Sequence, residues 1–108
     1  MLEGTIVENS LTDKKILTQL KVLKSWVDGD WKLHKVMLNR DQALNLAQYL
    51  KDGLWYMHFW EPNKENILVV FRNKNFDITY SNRSTWGPVL EYGKLLGIPE
   101  QQLDFLID

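Results

Sequence analysis

The chain has no cysteine. That excludes disulfides, thiolate nucleophiles and cysteine-ligated zinc or iron–sulfur centres. Histidine is scarce too, with two residues, so metal chemistry would have to lean on carboxylates. No GxGxxG or GxxxxGK[ST] loop occurs, and no GxSxG elbow or HExxH pair. Neither a metal site nor a cofactor is therefore expected. Charge of one sign is not in excess either: 13 Lys and Arg stand against 14 Asp and Glu, for a net charge of −1. Binders of phosphate backbones ordinarily carry a basic surplus, so this balance argues against nucleic acid as a partner. No apolar run approaches the ~20 residues of a membrane span. The opening MLEGTIVENS lacks the basic start and apolar run of a signal peptide. A cytoplasmic protein with no membrane association is the expectation. No repeat and no Gly/Ser/Pro-rich linker interrupts the sequence, so residues 1–108 read as a single domain.

Aromatic residues are what the chain does have: five Trp, four Tyr and four Phe. Tryptophan brings a large apolar area and an N–H that seeks a partner when buried. Such a load serves either a densely packed small core or a recognition surface. With 44% hydrophobic and 25% charged residues, the chain can form a core and is not a disordered polymer.

Residues 4–9, GTIVEN, read as a strand, and Asp13 as the N-cap of a short helix bearing Ile16, Leu17 and Leu20. Asp28-Gly29 is a two-residue hairpin signal, so 20–27 and 30–38 read as paired strands. That turn sets Trp26 opposite Trp31 and Leu23 opposite His34. NRDQALNLAQYLKDG predicts a helix over 41–52, capped by Asn39 and Gln42 and ended by Gly53, with Ala43, Leu46, Ala47 and Leu50 inward. NILVVFRNKNFDITY predicts a second hairpin with an Asn73-Lys74 turn, pairing Phe71 with Phe76, Val69 with Ile78 and Ile67 with Tyr80. A helix over 85–96 follows, with a Ser/Thr cap and Pro88 in its first turn. Trp86, Val89, Leu90 and Leu96 form its apolar stripe, Gly93 marks a close approach, and Gly97 ends it. After Pro99, Leu103, Phe105 and Leu106 dock the tail.

The expected fold is thus α+β: a mostly antiparallel sheet of five or six strands, with the two main helices packed on one face. EYGKLLGIPEQQLDF, EGTIVENSL and WKLHKV together resemble a family of short uncharacterised, chiefly archaeal, prokaryotic proteins. The resemblance implies a cytoplasmic single-domain α+β protein and carries no chemistry with it.

Candidate sites follow from LWYMHFW, residues 54–60. Strand alternation splits it into Trp55, Met57 and Phe59 on one face and Tyr56, His58 and Trp60 on the other. Pairing Phe59 with Ile67, Met57 with Val69 and Trp55 with Phe71 makes the first set core. Tyr56, His58 and Trp60 are then left on a less covered face with Arg72 and Asp77. These five are the candidate ligand- or partner-binding residues. His34 and His58 meeting on one face, beside Asp77 or Glu61, would make an acid–base or metal site. Asp28 and Asp30 are read as turn formers, since calcium needs six to eight oxygens and no more are near in sequence. The function expected is a small interaction domain that self-associates as a homodimer or binds a protein partner through the less covered face. The alternative is a small-molecule pocket, enzymatic or not, around the same five residues. Single-stranded nucleic-acid binding, by stacking on Tyr56 and Trp60, comes third.

Overall fold

The computed structural model describes residues 1–103 and 105. Six strands form one antiparallel sheet: β1 (Leu2–Val7), β2 (Lys21–Asp28), β3 (Trp31–Leu38), β4 (Met57–Trp60), β5 (Asn66–Val70) and β6 (Asn75–Thr79). Their spatial order is β2-β3-β1-β4-β5-β6, which leaves β2 and β6 as edges. Two α-helices join them, α1 (Arg40–Asn45) and α2 (Gly87–Leu95), with short 3₁₀ turns between. The architecture is α+β, as expected.

The helices do not share a face. Ala43 of α1 and Leu46 just beyond it pack with Leu2, Ile6, Val36, Leu38, Phe59, Leu68 and Val70. Val89 of α2, with Trp86, Ile98, Leu103 and Phe105, packs instead with Trp60, Ile67, Val69 and Ile78. Adjacent residues of a strand point to opposite sides, so α1 lies on one face and α2 on the other. The cause is in β5. Its Ile67-Leu68-Val69-Val70 run is apolar on both faces, and all four residues are buried. A strand of that kind needs cover on both sides.

Both hairpins form, each in a register shifted from the expected one. In the first, Asp28 pairs with Trp31, Trp26 with Leu33 and Ser25 with His34. The turn is Gly29-Asp30, with Gly29 at φ +61°. A glycine in the first central position needs positive φ only there, whereas Asp28-Gly29 would require it of the aspartate too. An extra residue, Leu23, bulges between Val22 and Lys24. In the second hairpin Val69 meets Phe76 and Ile67 meets Ile78. The connection is longer than two residues, closed by the Phe71 N–H donating to Lys74 O at 2.8 Å. Neither Asn73 nor Lys74 adopts the positive φ of a tight turn. β4 also sits one residue away from the expected register, with Met57 opposite Val70 and His58 opposite Val69.

The helix expected over 41–52 has its capping box, Asn39 with Gln42. Its α-helical part ends at Asn45, and a 3₁₀ turn Leu46–Tyr49 continues it. Strand-like bonds then take over. Leu50 bridges Leu11, the Thr12 N–H donates to Tyr49 O at 2.7 Å, and the Lys51 N–H to Ser10 O at 2.8 Å. Asp13 caps a 3₁₀ turn, Lys14–Gln19. The 85–96 helix starts as a 3₁₀ turn, Arg83–Trp86, capped by Asn82 rather than Ser84 or Thr85, and Pro88 sits in the first turn of α2. Leu96 is more than a third exposed and outside the stripe. Gly93 does allow a close approach, with Leu103 where its Cβ would be. Leu103 and Phe105 are buried; Leu106 lies outside the described residues.

Candidate site: a half-covered sheet face

The five candidate residues do not form one site. Tyr56, His58 and Trp60 share the α2 face, where the tail covers them. Phe105 lies edge-on to Tyr56 at 5.5 Å and to His58 at 5.8 Å, and the Tyr56 hydroxyl donates to Gln102 O. Trp60 is 3% exposed, so it is core and not platform. Its Nε1 is buried with no hydrogen-bond partner among the described residues. Asp77 pairs with Leu68 in the ladder and so lies on the α1 face. There it receives two bonds from Arg40, both 2.8 Å, and that hydrogen bonding raises the guanidinium's pKa above its ordinary value. Arg72 is bound elsewhere, Nε to Asp52 at 3.1 Å and Nη1 to Leu50 O at 2.5 Å, which pins the loop before β4. The depression that His58 lines excludes Arg72, and the one that Arg72 lines excludes His58. A pocket built on all five residues is therefore not assembled.

His34 and His58 are likewise on opposite faces. His34 pairs with Ile6 and is buried with the α1-side core. Its Nδ1 is 2.7 Å from Ser25 Oγ, and its Nε2 is 3.0 Å from Glu8 Oε1. A hydroxyl, an imidazole and a carboxylate in a row is the pattern of an activated nucleophile. The hollow that Glu8 lines, about 370 Å³, is otherwise walled by Asn9 and by Leu11 to Lys15. Neither Ser25 nor His34 reaches it, so it gives the serine no substrate pocket. The row instead ties the segment after β1 to the β2–β3 hairpin. Only the true register puts Ser25 opposite His34, so sequence reading with the turn one residue early could not find it.

What the fold leaves open lies on the α2 side of the other half of the sheet. Helix α2 and the tail cover β4, β5 and β6. Over β1, β3 and β2 the same face presents Thr5, Val7, Leu33, Lys35 and Met37, half-buried, and Trp26, Trp31, Lys21, Lys24 and Asp28 toward the edge. Lys24 Nζ stands 5.5 Å from the centre of the Trp26 ring. Where the covered and open halves meet runs a groove of about 300 Å³, lined by Thr5, Val7, Tyr56, His58 and Gln102 among others. It continues into a second hollow at Trp31, Leu54 and Trp55. Trp31 meets Trp55 edge-to-face at 5.4 Å, which stiffens that end.

Fold and site define a small α+β domain whose antiparallel sheet carries α1 on one face and, on the other, α2 and the tail over β4, β5 and β6. Comparison of the chain with protein-family models, characterised proteins and solved structures finds no match. Among the described residues, no three histidine or carboxylate groups are placed to hold a metal ion, and no helix is long and apolar enough to cross a membrane.

Proposed function

We propose that this protein is an interaction domain that binds a second copy of itself through the β2–β3 hairpin and the open half-face beside it. The observation that carries the reading is where the exposed apolar side chains lie. Of the eight large hydrophobic residues left in water among those described, Val22, Leu23, Val27 and Trp31 belong to this one hairpin and Leu54 adjoins Trp31, while Met1, Leu95 and Leu96 lie elsewhere. Val27 alone is 70% exposed. Scattered single apolar residues are normal on a surface, but here they gather along one edge hairpin, Trp31 on the half-open face and Val22 and Val27 on the other, which marks the hairpin edge as the interaction site. Burial at about 25 cal/mol per Å² would drive association, less the costs of ordering two partners.

Light scattering across micromolar to millimolar concentration tests it. The wild type is expected to dimerise, and Val27→Asp or Trp31→Asp to shift it to monomer with unchanged circular dichroism. A wild type that stays monomeric at millimolar concentration defeats the reading. A salt-sensitive quench of tryptophan fluorescence by an oligonucleotide, lost in Trp31→Asp, would reassign the face to single-stranded nucleic acid.

A further inference from the structure

We infer that the two copies join edge to edge, β2 pairing antiparallel with β2 of the second copy about a two-fold axis at Ser25. This rests on the interaction reading above and adds to it the strand and the register. β2 is a sheet edge, and every residue in it except Trp26 is exposed. Its outward N–H and C=O groups are a template for another strand. A two-fold axis perpendicular to the sheet preserves faces, so each residue can pair only with one on its own face.

The ladder with β3 settles those faces. Lys21, Lys24, Trp26 and Asp28 pair with Met37, Lys35, Leu33 and Trp31 and share the half-open face. Val22, Ser25 and Val27 pair with Val36, His34 and Lys32 and share the other. Placing Ser25 against itself sets Lys24 against Trp26 of the second copy. With Leu23 as the extra residue, Val22 then meets Val27 and Lys21 meets Asp28. Each pair is on one face, and each end of the joined strands carries an opposite-charge pair.

The bulge is what makes this work. Were Leu23 an ordinary member of the ladder instead of a bulged residue, Asp28 would fall opposite Val22, and the ion pair would be lost. An axis at Lys24 would oppose two lysines, and an axis at Trp26 would leave Lys21 to Leu23 unpaired. Lysines and bulges are also the devices that blunt edges against pairing. In this register, though, Asp28 neutralises Lys21, and Lys24 lies over an indole, a favourable contact.

Charge reversal tests the register. Lys21→Asp and Asp28→Lys are each expected to weaken dimerisation about ten-fold or more, and the double reversal to restore it. The absence of native cysteine makes crosslinking clean. Directly opposed residues have Cα atoms within disulfide reach. Ser25→Cys should therefore give a covalent dimer on oxidation, and a mixture of Val22→Cys with Val27→Cys a mixed one that neither gives alone. A dimer indifferent to the charge reversals, or one in which none of these cysteines crosslinks, overturns the edge pairing and leaves the interaction reading standing. A monomer throughout overturns both.

Discussion

Trp60 and Trp31 are both tryptophans near the ends of strands, and their surroundings give them different tasks. Trp60 is packed among Ile67, Trp86 and Phe105 in the cluster under α2, whereas Trp31 is 46% exposed at the tip of the hairpin. Trp60→Asp would bury an unpaired carboxylate at a cost of several kcal/mol, against a total stability of about 5–15 kcal/mol for a domain. It is expected to unfold the protein, read as loss of the circular dichroism signal at room temperature, while Trp31→Asp remains folded. His34 makes a similar point with polar chemistry. His34→Ala removes the link between Ser25 and Glu8 and empties space beside Ile6, and should cost about 1–3 kcal/mol. Ser25→Ala leaves the Glu8 bond in place and should cost no more than about 1 kcal/mol by urea denaturation. Reversal of that order would mean that the row does not brace the hairpin.

Strands and their hairpin pairings were legible, and their registers were not. Alternation in ILVVFRN and NFDIT put Ile67, Val69, Phe71 and Ile78 on one face, and they do form one cluster. The capping box at Asn39 and Gln42, and Pro88 in the first turn of α2, were likewise readable from local chemistry. Registers were harder, because several turns can close the same two strands, and backbone φ decides among them. β1 carries another constraint of this kind. A Cβ on Gly4 would lie 2.4 Å from Phe59 Cδ1 and 2.6 Å from His58 O, a clash with ring and backbone at once. Gly4→Ala is thus expected to lose about 1–3 kcal/mol, roughly 5–20 °C in Tm, by pushing β1 off β4. A calorimetric Tm within a degree or two of the wild type would show that the two strands have room to spare.

For the whole molecule, composition and periodicity determined the class: no cysteine-based chemistry, an antiparallel sheet of short strands, and a helix with a recognisable cap at Asn39. They also determined which residues are apolar enough to be core. What they did not determine is which face each layer covers: both helices were expected on one face, and they lie on opposite ones. Ile67 to Val70 need partners on both sides, and only the assembled chain shows that α1 supplies one side and α2 with Leu103 and Phe105 the other. That choice buries Trp60 and half-covers Tyr56 and His58, sends Asp77 to the opposite side, and leaves β1, β3 and β2 half bare. The reason is physical. Alternation is a property of one strand and is written in its residues, whereas cover is a property of elements far apart in sequence, fixed by which of them arrive to exclude the water.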